Sequence, residues 1–445
     1  MNYPLSQDAI DFQATGEEIY QFITELYPIC RSITGDGVRK TLDMIKKKIP
    51  IKTQEIPTGT TAFDWTVPKE WNIQDAYVKD SNGRRVIDYN QSNLHVVGYS
   101  VPIRRNVRRE ELLDHIFTIP EQPEWIPYRH TFHKEDWGFC IAHKTIADLQ
   151  DDEYEVRIDS SLENGFLTLG EFFLQGETDD EVVIYTHTCH PSLCNDNLTG
   201  IGIATFLADW LRAAPRHYSY RFLFSPSTIG SITWLALHEA EIHKIKYGLI
   251  LTGLGDSGGF TYKKSRKGDS EIDRAVTHVL RTSDKAYQIF EFSPFGYDER
   301  QFCSPGFNLP FGCLMRTPNG KYPEYHTSGN DLDFISPENL GESLRTCIDI
   351  IELLECNKIY LNTNPKCEPQ LGKRDLFRTA GRKHQPPEEQ FALLWVLNLS
   401  DGFHSLLDIA DRSGIGFDLL KKAANELIRC GLLQEGQLGY TKHKN

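Results

Sequence analysis

The sequence predicts a three-layer α/β domain with a largely parallel sheet, interrupted by a β-rich insertion and followed by a winged helix. Three observations carry this reading. From about Glu153 to Glu355, apolar strand-like runs alternate with amphipathic helical patterns. From about Thr58 to Asp152 the texture changes to Trp, Tyr, His and turn residues around short apolar runs. After the polar stretch LGKRDLFRTAGRKHQPPEEQ come three helical patterns and two short β-like pieces. The expected division is 1–57 with 153–372 as the α/β domain, 58–152 as the insertion and 373–445 as the winged helix.

The elements follow in chain order. Thr15-Gly-Glu-Glu18 has capping-box spacing, and Ile19, Phe22, Ile23 and Leu26 then fall on one helical face. VRKTLDMIKKKI predicts a second helix with Val38, Leu42 and Ile45 inward. In the insertion, NLHVVGYSV and WGFCIA read as strands; His95, His115, His130, His133 and His143 lack metal-ligand spacing and read as ordinary surface or core histidines. The alternating part gives strands at EVVIYT, RFLFS, YGLILTG and GCLMRT, with helices at GIGIATFLADWLRAA, GSITWLALHEAEIH and EIDRAVTHVLRT. Ser336, Pro337 and Glu338 then open a long helix as N-cap and first turn, burying Leu340, Leu344, Cys347, Ile348 and Ile351. In the last unit FALLWVLNL, SLLDIADRSG and FDLLKKAANELIRCG are helical, and LLQE and LGYT supply the β-like pieces.

Composition bounds the function. With 445 residues the chain can hold two to four domains, and 62 Asp and Glu against 48 Lys and Arg give a formal charge of −14. That balance argues against a protein that coats nucleic acid or anionic membrane. MNYPLSQDAIDF has neither the basic nor the apolar part of a secretory signal, and no apolar run is long enough to span a bilayer, so the expectation is a cytoplasmic protein. Ten scattered cysteines form no CxxC pairs and suit a reducing compartment. On the third helix of the last unit Lys421, Lys422, Asn425 and Arg429 could meet a major groove, but Asp418 and Glu426 stand among them; protein contact is the stronger expectation.

The densest chemistry lies in THTCHPSLCNDNLTG, between a strand end and a helix start, where such sheets present ligands. His187, Cys189, His190, Cys194, Asp196 and Asn197 crowd there, and imidazole, thiolate and carboxylate are zinc-binding groups. Asp256 in LTGLGDSGG lies just past another strand, and YPEYHTSGNDLD places His326 before Asp331 and Asp333. Together these put His, Asp, Asp and His at strand ends of one sheet.

A strand ending in His, an Asp-Asn-x-x-Gly opening a helix and a later His-Thr before the last helix resemble the co-catalytic zinc aminopeptidases. The longer strings HTCHPSLCNDNLTG, FDWTVPKEWNI, GYDERQFCSPG and YPEYHTSGND resemble a narrower bacterial family. Its members join a zinc-exopeptidase-like domain, an inserted β domain and a C-terminal winged helix, have no assigned function, and sometimes accompany polysaccharide-biosynthesis genes. The resemblance implies His187 as the first zinc histidine, Asp196 as the bridging carboxylate, Asp256 as a terminal ligand and His326 as the distal histidine.

The chain departs from that pattern twice. Cys189 stands where those enzymes carry an aspartate that orients the first histidine. Their Glu-Glu pair, which supplies a general base and a metal ligand, is replaced in RFLFSPSTIGS by Ser225, Ser227 and Thr228. The expectation is one firmly bound zinc on His187, Asp196 and His326, with His190 or Asp256 as a fourth ligand. A proton carrier must come from elsewhere, with Asp298, Glu299 and Glu324 the candidates, each also a candidate partner for Arg300, Arg316 or Lys321. Lys263, Lys264 and Arg266 could bind a substrate anion or form a solvated turn. The function expected is metal-dependent hydrolysis of an amide bond in a small amino-acid-derived, peptide-like or sugar-linked substrate. The alternative is a non-catalytic ligand-binding or regulatory protein on the same scaffold.

Overall fold

Eight strands form one mixed sheet in the computed structural model, which describes residues 10–132, 134–213, 215–376 and 387–436. They are β1 Lys52–Pro57, β2 Phe166–Leu174, β3 Glu181–His187, β4 Ser219–Ser225, β5 Ile245–Leu251, β6 Phe260–Lys263, β7 Tyr287–Phe290 and β8 Phe311–Met315. Their order is β1-β2-β4-β3-β5-β8-β6-β7, with the β4-β3-β5-β8 centre parallel and β1, β2 and β6 antiparallel to their inner neighbours. Every residue of β3 and β4 is buried, as expected of parallel strands covered on both faces.

Helices α1 Phe12–Leu26, α2 Asp36–Lys46, α3 Thr199–Arg212, α4 Ile229–His238, α5 Glu271–Thr282 and α6 Pro337–Cys356 follow the predicted periodicity. α1 buries Ile19, Phe22, Ile23 and Leu26. Its cap is Asp11, whose carboxylate accepts the Gln13 and Ala14 amides; Thr15 lies inside the first turn, its hydroxyl spent on the Asp11 carbonyl. α1 crosses α6 so closely that a Cβ on Gly16 would lie 2.1 Å from the Pro337 carbonyl oxygen. α4 packs on the sheet face that carries Val183, Tyr185 and Leu223, while α2 lays Leu42 against Gly170 on the opposite face. Two helical layers thus enclose the sheet.

The insertion is built on a separate four-stranded antiparallel sheet of Arg85–Asp88, Glu70–Lys79, Glu153–Glu163 and Ile103–Arg108, in that order. Its strand Glu153–Glu163 lies beyond the boundary at 152 read from sequence. The texture change there marks the return of long strands, and the first of those still pairs within the insertion. NLHVVGYSV is not a strand: Asn93–His95 forms a short 3₁₀ turn, with single bridges at Val96 and Gly98. The histidines described in the insertion make structural bonds, His95 to the Cys140 carbonyl and His115 to the Trp137 carbonyl; His133 lies outside the described residues.

The chain divides into two compact units, Met1–Asp273 with Lys285–Ile348, and Arg274–Asp284 with Asp349–Asn445. The second contains α7 Glu388–Leu399, α8 Leu406–Ser413 and α9 Phe417–Arg429, with a sheet in which Ile359–Asn362 lies between Asp401–Ser405 and Leu433–Glu435. The winged helix therefore starts before residue 373, because its central strand is Ile359–Asn362. A Ser405–Asp408 capping box opens α8 and Gly414, at φ 72°, closes it. On α9, Lys422, Asn425 and Arg429 are exposed beside Asp418 and Glu426, whereas Lys421 is half-buried near Cys356 and Glu352. LGYT lies outside the described residues. Among the described residues no helix is long and apolar enough to cross a membrane.

One ion-pair group joins α2, β1 and the insertion. Arg39 donates to Glu70 (2.6 Å) and to Glu55 (3.0 Å), and the Arg39 bond holds the Glu70 carboxyl down at about 2. A carboxyl depressed from 4.5 to about 2 contributes stability that is fully present above pH 4.5 and is lost as pH falls through about 2. Discounted for partial exposure, Glu70→Gln should cost about 1–2 kcal/mol at pH 7. Urea unfolding measures this, and the gap should narrow below pH 4.5; an undiminished gap at pH 3 would count against the pairing.

Candidate metal centre

β3 delivers His187 at its carboxyl end, in register with Ser225 of β4. The chain then crosses a loop to the turn Cys194–Leu198, where Asp196 (φ −117°, ψ 81°) and Asn197 (φ −147°, ψ 42°) leave helical geometry before α3 begins. Asn197 locks this turn. Its Oδ1 accepts the Gly200 amide (3.1 Å), and its Nδ2 donates to Thr186 Oγ1 (2.8 Å) and lies 3.2 Å from His187 Nδ1.

The result is a buried carboxylate among imidazoles. Asp196 Oδ1 is 3.0 Å from His187 Nε2, and Oδ2 is 3.0 Å from His326 Nε2 and 3.9 Å from His190 Nε2. Asp196 is fully buried. Burial alone would raise its carboxyl, but the surrounding histidines outweigh it and hold the group well below the usual carboxylate range. Burial, reinforced by His187 and His326, pushes His190 well below its ordinary value, so its imidazole is neutral and keeps a lone pair.

This donor set fits zinc. His187, His190 and Asp196 offer ligand atoms that all lie within 4.8 Å of one another, and His326 reaches the other oxygen of the same carboxylate. Two ligands each about 2.0–2.1 Å from a tetrahedral ion stand about 3.3 Å apart, close to the separations found here. Among the described residues the ion-pair partners of the buried Asp196 carboxylate are all imidazoles, and a bound cation would compensate its desolvation.

The remaining candidates separate. Asp256 stays outside the group because both its oxygens are committed, Oδ1 to Thr317 Oγ1 (2.5 Å) and the Gly258 amide (2.8 Å), Oδ2 to Asn195 Nδ2 (2.9 Å). It fastens the turn after β5, so the fourth donor near Asp196 is His190. Glu299 is buried and paired with Lys263 at 2.5 Å, so this lysine is committed within the protein and not to a substrate anion. Lys264 pairs with Glu291, and Arg266 donates to Asn308. Glu324 is half-buried, and its carbonyl accepts the Thr327 amide in the turn that carries His326.

Asp298 is different. It is fully buried; Oδ1 accepts Ser231 Oγ at 2.5 Å, while Oδ2 makes no well-formed hydrogen bond to a described residue, although the Ser227 and Tyr185 hydroxyls face the carboxyl. Burial raises its carboxyl, opposed by the hydroxyls of Ser231 and Ser227 and by His187. Ser227 belongs to the segment from which the Glu pair is missing, so a carboxylate from elsewhere in the chain stands beside that segment. Cys189 is buried, its thiol pushed up to about 12, 3.6 Å from His190 Nδ1.

Two supports escaped sequence reading. Arg31 is buried and donates to the carbonyls of Leu26 (2.8 Å), His190 (2.8 Å) and Pro191 (2.9 Å). Asn330 receives the amides of Cys194 (2.8 Å) and Asn195 (2.6 Å), tying the Asp196 turn to the His326 loop. Neither residue has a local signature, since each acts across more than a hundred positions.

A mixed α/β sheet with parallel centre, carrying His and Asp side chains beyond its strand ends and followed by a winged helix, is an aminopeptidase-like architecture. The chain belongs to the family described as domain of unknown function DUF4910, whose model matches residues 20–357, and a winged helix-turn-helix family matches residues 358–435. A Clostridium acetobutylicum protein described as a polysaccharide biosynthesis protein with aminopeptidase-like domain is 51% identical over 420 residues, 94% of this chain and 96% of that one. A crystal structure from the same organism, described as a peptidase, superposes with a TM-score of 0.91 at 49% identity, covering 96% of this chain and 97% of that one. The zinc aminopeptidase BSAP of Bacillus subtilis shares the fold at a TM-score of 0.54 and 14% identity, over 76% of this chain and 94% of that one.

Arg31→Leu should leave three carbonyls without their charged donor and destabilise the protein by about 2–4 kcal/mol. Chemical denaturation of the two proteins at pH 7 measures it; a change below ~0.5 kcal/mol would show that the loop does not depend on the guanidinium.

Proposed function

We propose that this protein is a metal-dependent hydrolase that cleaves an amide bond in a small amino-acid-derived or sugar-linked substrate. The observation that carries the reading is the buried Asp196 carboxylate between His187, His190 and His326, beyond the carboxyl end of β3. The relative described by polysaccharide biosynthesis and an aminopeptidase-like domain supports the substrate class. Zinc, when bound, supplies a Lewis acid that polarises a carbonyl and makes water acidic enough to ionise near neutrality.

The chain's own residues do the rest. His187, Asp196, His190 and His326 hold the ion. Asn197 fixes the turn that carries Asp196, and Arg31 fixes the backbone of the His190 loop. Asp298 carries the proton through its Oδ2, in place of the absent Glu pair, while Lys263 holds Glu299 in an ion pair away from that role. Acidic residues on the exposed face of α9 favour protein over DNA as the partner of the winged helix. The hydroxyl residues Ser225, Ser227 and Thr228 in place of the Glu pair favour the second reading, a ligand-binding protein without turnover.

Purified wild type should contain one zinc per chain by elemental analysis and Asp196→Ala should contain none; absence of metal from both proteins sinks the metal reading. With metal present, a library of amino-acid and amino-sugar amides should reveal turnover that Asp298→Asn lowers by about 10²–10⁴ at unchanged zinc content. A metal-loaded wild type that binds library members and turns over none selects the ligand-binding reading.

A further inference from the structure

The inserted domain reaches the metal centre and brings Tyr128 to it. The Tyr128 amide donates to the His326 carbonyl (2.8 Å), Pro127 bridges Thr327, and the Ser328 amide donates to the Ile126 carbonyl (2.8 Å). Asn93 of the same insertion donates to Ser192 Oγ (2.8 Å), in the loop that carries His190. The insertion is therefore fastened to both ligand-bearing loops.

Within this clamp the Tyr128 ring stands edge-on to His190 and to His326, 5.1 Å between ring centres in each case. Two other tyrosines near Asp196 are placed differently. Tyr297 stacks on His187 (5.3 Å, 23°) and Tyr325 on His326 (4.0 Å, 12°), and their hydroxyls face Thr252 and Asn319. The Tyr128 hydroxyl makes no hydrogen bond to a described residue, although its ring is half-buried. The hydroxyl is therefore open to solvent, on a ring that the clamp holds beside His190 and His326, and it is free to meet a ligand there.

We propose that Tyr128 is a substrate-contacting residue of the metal centre, its O–H donating a hydrogen bond to the carbonyl oxygen of the bond to be cleaved. The proposal rests on the hydrolase reading above and gives the insertion a part in the chemistry. A phenol keeps its proton at neutral pH, so Tyr128 is a donor and not a base. A donor fixed by backbone clamps costs little reorganisation when the oxygen gains charge, which is where such a bond counts most.

The test uses the full-length protein loaded with Co(II) and titrated with acetohydroxamate, which offers metal-binding oxygens like those of a polarised carbonyl; the visible Co(II) spectrum is the readout. Wild type should take up one Co(II) and then bind acetohydroxamate. Tyr128→Phe keeps the ring and the backbone clamp, so it should retain Co(II) stoichiometry and spectrum and bind acetohydroxamate about tenfold more weakly. Equal affinity in the two proteins overturns the proposal, and so does loss of Co(II) from Tyr128→Phe, which marks a structural role. Failure of Co(II)-loaded wild type to bind acetohydroxamate overturns this inference alone, whereas failure of wild type to bind Co(II) overturns the hydrolase reading with it.

Discussion

A single fully buried carboxylate, Asp196, with imidazoles as its partners, sets the terms for the centre of this molecule. Removing an ionised carboxylate from water costs several kcal/mol unless charge or hydrogen bonds replace the lost solvation. His187, His190 and His326 surround it, but they come from two segments far apart in sequence, so their convergence has to be built. The sheet does the first part, by fixing His187 at a strand end within a parallel core. Loops do the second, and they are held by bonds that avoid Asp196 itself.

Those bonds have a common character. Arg31 is a buried cation, yet it spends its donors on three carbonyls, so its charge fixes backbone without neutralising the Asp196 carboxylate. Burial pushes its own pKa down to about 10. Asn330 and the 126–128 segment of the insertion add backbone bonds on the His326 side. His326 itself has φ 56°, a left-handed conformation that a non-glycine residue keeps only when its surroundings enforce it. A scaffold that spends bonds on holding imidazoles around an anion preorganises a cation site, and the insertion is part of that scaffold.

How much of this was legible in the sequence follows from the range of each interaction. Hydrophobic periodicity located β3, β4, β5, α1, α2 and α6 because strand and helix patterns are local. His187 and Asp196 were legible because punctuation between a strand and a helix fixes both within ten residues. Asp256 misled for the same local reason: a strand-end aspartate looks alike whether it binds a metal or caps a turn, and only the distant Thr317 decides. The Thr15 cap failed because the helix begins one turn earlier, where Asp11 accepts the Gln13 and Ala14 amides. Arg31, Tyr128 and the Lys263–Glu299 pair were invisible as such, since each gains meaning only from a residue that the fold brings from elsewhere.

The altered acidic residues are best understood together. In the resembled enzymes an aspartate two residues past the first histidine orients it, and a Glu pair follows the next strand; here those places hold Cys189 and a run of hydroxyls. With its thiol pushed up to about 12, Cys189 is neutral and can neither orient His187 as a carboxylate would nor act as a thiolate nucleophile at pH 7. The neutral Asn197 side chain stands beside His187 instead, its Nδ2 3.2 Å from the ring Nδ1. A divalent ion held by the three imidazoles would be balanced only in part by the single Asp196 carboxylate, and Asp298, within electrostatic reach of His187, would be a second buried acid beside it. Its hydroxyl neighbours can donate to the ionised form and accept from the protonated one, so the same pocket tolerates either state of Asp298. A buried acid from another segment thus stands beside the strand end where the resembled enzymes carry their Glu pair.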